Sequence, residues 1–164
     1  MPRAVNIRQA VSADWPRIWA ALEPAIRAGD VYALPQAWSE DQVRSHWFQT
    51  ENEVFAAEMA GKVVGAYYLH ANALGFGDHV ANCGYITAGE ARGQGVARAM
   101  CLHSLGHAKA RGFHAMQFNF VVSSNAPAVA LWRALGFVEV GRLPQAFRHP
   151  RLGLIDAFVM YKLL

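Results

Sequence analysis

The stretch from Thr87 to Met100, Thr-Ala-Gly-Glu-Ala-Arg-Gly-Gln-Gly-Val-Ala-Arg-Ala-Met, constrains the fold more tightly than any other. It continues an apolar run, Val80 to Ile86, that reads as a strand, and it opens into an amphipathic segment that reads as a helix. Gly93 and Gly95, just ahead of the helix, let the chain turn sharply and leave its backbone bare for close approach. The first amides of a helix have no partner within it and stand at the positive end of its dipole, so they attract an anion. Ala97 keeps the first turn slim, and Arg92 and Arg98 add positive charge. The junction therefore reads as a phosphate cradle. Its glycine spacing fits neither the dinucleotide fingerprint nor the P-loop, which disfavours both. Glycine-rich turns of this kind also arise for steric reasons alone, so a second feature is needed to carry the reading.

That feature lies about thirty residues on. Arg92-Gly93-Gln94-Gly95-Val96-Ala97 resembles the Gln/Arg-x-x-Gly-x-Gly/Ala signature of the GCN5-related N-acetyltransferases (GNAT). The segment Asn125-Ala-Pro-Ala-Val-Ala-Leu-Trp-Arg-Ala-Leu-Gly-Phe137 is similar to that family's second signature. Two motifs in this order and at this separation are far more specific than either alone. The resemblance implies an α/β fold of the GNAT type: a mixed, mainly antiparallel sheet of about six to seven strands, splayed after the fourth, with helices on both faces. It also implies acetyl-CoA as co-substrate, its diphosphate held by Arg92 to Arg98.

The pattern along the chain agrees with such a sheet. Residues 4–10 suit a first strand, and Ser12 and Asp14 offer side-chain oxygens to cap a helix that Gly29 ends. Trp15, Ile18, Trp19, Leu22 and Ile26 recur at helical spacing and read as core. Ser39-Glu-Asp-Gln42 reads as a capping box opening a short helix. Val54–Met59 and Lys62–His70 read as a hairpin around Ala60-Gly61, and Val80–Thr87 as the strand that ends at the cradle. In the helix from Val96, the residues Val96, Met100, Leu102 and Leu105 read as the apolar face. Ala115–Val122 shows unbroken alternation, with Met116, Phe118, Phe120 and Val122 on one side and Gln117 and Asn119 on the other. A helix over about 126–135 follows, and Val138–Gly141 and Ile155–Leu163 read as two last strands around an Arg148-His149-Pro150 loop.

The chain of 164 residues is long enough for one domain with a real core, expected to be a single acetyltransferase domain over 1–164. No leader-like segment opens it and no apolar run approaches the roughly 20 residues of a membrane span, so a soluble, cytoplasmic protein without a membrane partner is expected. Cys83 and Cys101 are too few for a disulfide framework and read as reduced thiols. His103 and His107 lie at i and i+4 without a nearby third ligand, so no metal is expected. The net charge of +3 is spread out and gives no nucleic-acid footprint. The expected partners are coenzyme A and a small-molecule amine, with a second copy of the chain as a further candidate.

Direct acetyl transfer needs a neutral amine, a held carbonyl and a donor to the departing sulfur. Many relatives place a carboxylate near the amine, but neither Val80–Thr87 nor Ala115–Val122 contains Asp or Glu. The family register makes the main chain of Tyr85, Ile86 and Thr87 the partner of the pantetheine arm. Many members also use a tyrosine as general acid where this chain has Trp132, whose indole does not give up a proton at ordinary pH. Asn125, at the start of the same helix, then becomes the catalytic candidate as donor to the thioester, with N-capping as its structural alternative. Asn82, Asn119 and Asn125 together are similar to fungal acetyltransferases acting on proline analogues. That similarity implies Asn82, Asn119 and Phe120 as acceptor-binding residues. Tyr32, Trp38 and Trp47 are further candidates for an apolar acceptor pocket, with packing as the alternative for each. His70 and His79 flank the region as candidate proton relays through water, and Arg148 and His149 could meet an acidic acceptor or the coenzyme. Two rival functions are acetylation of a protein N-terminus or lysine, and non-catalytic acyl-CoA binding.

Overall fold

The alternation of β-branched and aromatic residues in the first half of the chain builds hairpins, and the cradle helix then forces a crossover. In the computed structural model, which describes residues 4–164, the order is β1 (Val5–Gln9), α1 (Trp15–Ala28), α2 (Glu40–Trp47), β2 (Glu53–Met59), β3 (Lys62–Ala71), β4 (Val80–Thr87), α3 (Val96–Ala110), β5 (Ala115–Val122), α4 (Ala126–Ala134), β6 (Val138–His149) and β7 (Gly153–Leu163). The strands form one sheet in the order β1-β2-β3-β4-β5-β7-β6. All neighbours are antiparallel except β4 and β5, which α3 joins as a parallel pair.

The sheet buries two faces. Trp15, Ile18, Leu22 and Ile26 of α1 and Val43 and Trp47 of α2 pack with Val54, Ala66 and Ile86. Val96, Met100 and Cys101 of α3 and Val129 and Trp132 of α4 pack on the opposite side with Tyr67, Leu69, Met116 and Phe118. Each fully buried side chain of the size of Leu22 or Ile26 contributes about 1.5–3 kcal/mol. One of the four apolar-face candidates of α3 does not belong: Leu102 is exposed, because the face of α3 that meets the sheet runs through Val96, Met100, Cys101, Ser104 and Ala108. Leu105 is half-buried and packs against the same core.

The short helix α2 starts as its sequence predicts, with Ser39 Oγ accepting from the Gln42 amide at 3.3 Å and Gln42 Oε1 accepting from the Ser39 amide at 2.8 Å. The start of α1 differs. The Asp14 carboxylate makes no capping bond to α1; it takes both Arg8 Nη atoms at 2.8 Å and the Val11 amide at 2.8 Å. Arg8 also reaches Glu58 on β2, so the cluster ties the first helix to the sheet edge. Hydrogen bonding to Arg8 holds the Asp14 carboxyl below its ordinary range.

Two strand readings need correction. The alternation of β5 is broken by a bulge: Phe118 pairs with Met160 and Val121 with Phe158, so Asn119 and Phe120 together oppose Val159 alone. The extra residue inverts the phase, leaving Phe120 exposed while Val121 and Val122 are both buried. The last two strands are longer than the sequence signals and close at Pro150–Leu152, with Arg148 and His149 inside β6. Pro144 removes one backbone donor from β6. It sits in a second irregularity between Leu143 and Phe147, where no ladder donor is required, and Asp156 Oδ1 accepts from the Gln145 amide at 2.8 Å there.

Candidate active site

The parallel pair β4 and β5 is joined at only two positions, Val80 with Ala115 and Ala81 with Met116, and then separates. From that vertex a gap opens toward Thr87 and Val122. The direction of the β4 main chain follows from its pairing with β3. The Asn72 amide bonds to Val80 O and the Ala88 amide to Val64 O, which makes the even-numbered residues of β4 the hydrogen-bonded partners of β3. In an antiparallel ladder the alternate residues turn their N–H and C=O the other way. Cys83, Tyr85 and Thr87 therefore present their main chain to the gap, beside Ile86, whose side chain is buried under α1. In this structure the Tyr85 carbonyl accepts a hydrogen bond from the Tyr32 hydroxyl, which reaches it from the loop between α1 and α2.

At the wide end of the gap lies the cradle. Gly93 and Gly95 have φ of 74° and 82°, a region that a side chain disfavours, and a Cβ at either would project into open space. Ala99 is the first helical amide to close back, onto Gly95 O at 3.0 Å. The amides of Gly93, Gly95, Val96, Ala97 and Arg98 have no backbone acceptor among the described residues. Five unpartnered donors at the start of a 15-residue helix, flanked by the exposed Arg92 and Arg98, form an anion site suited to a diphosphate. Gln94 stands apart from it: its Nε2 donates to Glu90 O at 2.8 Å, and it does not line the cavity.

At the vertex three strands converge. Asn82 on β4 and Asn119 on β5 both donate to Asn72 Oδ1, at 3.2 and 2.7 Å. The two sequence candidates thus meet through a third asparagine at the end of β3. Asn119 stands on the sheet face opposite Met116 and Phe118, the face that also carries Asn72 and Asn82, and its own Oδ1 accepts from Gln117 at 2.8 Å. Tyr68 lies across β4 because Gly84 leaves room: a Cβ there would stand 2.4 Å from the Tyr68 ring. Trp47 meets Tyr68 edge-on at 5.0 Å, and burial pushes the Tyr68 hydroxyl above its ordinary range. His70 follows on the same face, its ring 5.7 Å from Tyr68.

Asn125 is the N-cap residue of α4 by position, yet its side chain makes no capping bond. It lines the cavity with Trp132, whose ring packs 5.2 Å from Tyr85 and 4.9 Å from Phe118. One continuous cavity of about 1180 Å³ takes in the cradle, the gap, the asparagine cluster and Phe120, together with Tyr32 and Trp47. Trp38 stands behind that wall, its ring 5.7 Å from His46. His79 lies outside the cavity, and its ring faces His114 at 6.3 Å. His149 is buried, with Nδ1 accepting from the amides of Arg151 and Leu152 at 3.1 and 3.2 Å, a turn-closing role; it also lines a smaller adjoining cavity with Asp30 and Asn125. His103 and His107 are engaged by Tyr67 and Glu53 at 2.7 and 2.9 Å, and no group of three metal-ligating side chains occurs among the described residues.

Asn72 and the Tyr32 contact were missed in the sequence reading. The hairpin register carries the first signal: residues 68, 70 and 72 share a face, and β3 pairs His70 with Asn82. No local signal predicts the second.

A splayed parallel pair, a helix-start anion site at its wide end and a polar cluster at its vertex define an acyl-CoA-binding α/β protein. The profile of the Acetyltransferase (GNAT) family matches residues 10–137, and the chain belongs to that family. A GCN5-related N-acetyltransferase structure from Kribbella flavida superposes with a TM-score of 0.94 at 38% identity, covering 98% of each chain. The L-methionine sulfoximine/L-methionine sulfone acetyltransferase of Pseudomonas aeruginosa is 31% identical over 153 residues, 87% of this chain and 85% of its own length. N-acetyltransferase aca1 of Schizosaccharomyces pombe is 30% identical over 98 residues, 59% of this chain. The mycothiol acetyltransferase of Saccharomonospora viridis is 34% identical over 142 residues, 84% of this chain. The chain spans 47% and 41% of the lengths of these last two.

Proposed function

We propose that the protein, as a single GNAT domain, transfers an acetyl group from acetyl-CoA directly to the amine of a small molecule, an amino acid or amino-acid analogue. The observation that carries this reading is the continuity of one cavity from the unpartnered amides at Gly93–Arg98, along the free edge of β4, to the amide side chains at the vertex. The cradle amides and the two arginines take the diphosphate. The main chain of Tyr85 and Thr87 takes the pantetheine arm in the manner of an added strand. The thioester then lies near Asn125, whose uncommitted amide is free to donate to the carbonyl oxygen or the sulfur.

Asn82, Asn119 and Phe120 form the acceptor site, with Asn72 fixing the two amides. Neutral amides bind and orient a carboxylate or an amine without titrating, so their task is recognition. The acceptor amine attacks the thioester carbon, a C–N bond forms, and the C–S bond breaks with its electron pair leaving on sulfur. Neither thiol serves as a nucleophile, since burial pushes both Cys83 and Cys101 up to about 12. Two unpaired thiols also suit a reducing compartment such as the cytoplasm.

The test is calorimetry with coenzyme A and acetyl-CoA, followed by thiol release with a panel of amino acids, proline analogues, methionine sulfone, polyamines and short peptides. Binding together with release on amino acids or their analogues is the expected result. No binding of either coenzyme form would remove the donor and end the reading.

A further inference from the structure

The carboxylate-free strands leave open what removes the proton from the acceptor ammonium, and the β3 strand supplies an answer. Three side chains on the cavity wall are carboxylate or imidazole groups, the types that can accept a proton from an amine: Asp30, His46 and His70. Only His70 is both at the vertex and fixed in orientation. It pairs directly with Asn82 in the β3–β4 register, so the two side chains stand side by side on the cavity face. Its Nδ1 lies 2.8 Å from Ala71 O, and a carbonyl only accepts, so Nδ1 carries the hydrogen. In the neutral ring Nε2 is then the bare acceptor. His46, on α2, stands behind Tyr68 and is held below its ordinary range by burial, with His70 as a second cause. Asp30 belongs to the connection between α1 and α2, near Asn125 and the smaller cavity.

We propose that His70 Nε2 is the general base that takes a proton from the acceptor ammonium, in a site where Asn82 holds the acceptor. The assignment rests on the acetyl-transfer reading. One ammonium proton passes to His70, and the neutral amine then attacks the thioester carbon. On collapse the sulfur leaves with the C–S electron pair, and a second proton from nitrogen goes to the thiolate, giving amide and free thiol. His70 returns its proton to solvent. The groups beside His70 are His46 from α2, Tyr68 from β3 and, on β4, the neutral Asn82; Asp30 and Tyr32 from the α1–α2 connection and Arg92 and Arg98 of the cradle line the same cavity.

The experiment is the pH dependence of kcat/KM, measured by thiol release with the best amine of the panel, for the wild type, H70Q, H46Q and D30N. The wild type should show a rising limb between about pH 5 and 8, where imidazole titrates. H70Q should lose that limb and about a hundredfold or more in kcat, while coenzyme A Kd and acceptor KM stay within about threefold. H46Q and D30N should keep the limb. A kcat for H70Q within threefold of wild type, or a limb that disappears in H46Q or D30N instead, overturns the assignment. So does a wild type that turns over without any limb in that range, a result that does not depend on a variant folding. Coenzyme binding and turnover by the wild type separate these failures from failure of the acetyl-transfer reading, which would show as no thiol release with any amine.

Discussion

Replacing Tyr32 by Phe should tighten coenzyme A binding, an unusual sign for a change inside a ligand cavity. In the free protein the Tyr32 hydroxyl donates to the Tyr85 carbonyl, and that carbonyl faces the gap between β4 and β5. A pantetheine amide entering the gap competes for the same acceptor, so binding includes the cost of displacing Tyr32. A net intramolecular hydrogen bond is worth about 0.5–1.5 kcal/mol. At about 1.4 kcal/mol per tenfold, its removal lowers the Kd for coenzyme A by about two- to twelve-fold. The free variant loses the same bond and should melt a few degrees lower, by roughly 2–4 °C per kcal/mol for a chain of this size. Titration calorimetry of the wild type and Tyr32→Phe with coenzyme A reads the first effect, and thermal melts without ligand read the second. An unchanged or weaker Kd in a variant that melts normally would refute the displacement argument.

Three further outcomes are expected. Gly95→Ala should cost about 1–2 kcal/mol in the free protein for its left-handed backbone and weaken coenzyme binding at least tenfold, whereas Gly106→Ala, on open helix surface, should weaken neither; melts and calorimetry on both check this. Asn125→Ala should depress kcat more than it changes coenzyme Kd, while Asn82→Ala should chiefly raise the acceptor KM; steady-state kinetics with the reverse pattern would exchange the two roles. Asp14→Asn should cost about 1–3 kcal/mol at neutral pH. Because the Asp14 carboxyl is depressed in the folded state, its contribution is present above its ordinary value of 3.8 and is lost as the pH falls through the folded value. Urea melts should therefore show the wild type and the variant converging in acid; a gap constant down to pH 3 would place the effect elsewhere.

What could be read along the chain was whatever is encoded locally. The cradle is legible because glycines, arginines and a helix start follow one another within a few residues, and the Ser39 capping box is legible for the same reason. The vertex is assembled from β3, β4 and β5, whose residues are brought together only by register. Asn72, His70 and Asn82 follow from the hairpin once its pairing is known, but the third strand does not. In β5 the sequence Met-Gln-Phe-Asn-Phe-Val-Val reads as one clean alternation, and a strict pleat would send Asn119 to one face and Phe120 to the other. The bulge gives that pair one opposing residue instead of two, and so Phe120 joins Asn119 at the cavity while Val121 and Val122 stay buried. A single added residue thus turns a core-type strand into the wall of a binding site without removing a buried side chain after it. Deleting Phe120 tests this: restored alternation should preserve the fold, the coenzyme Kd and the Asn119 contact with Asn72, yet take the aromatic ring out of the acceptor wall and raise the acceptor KM as Asn82→Ala does.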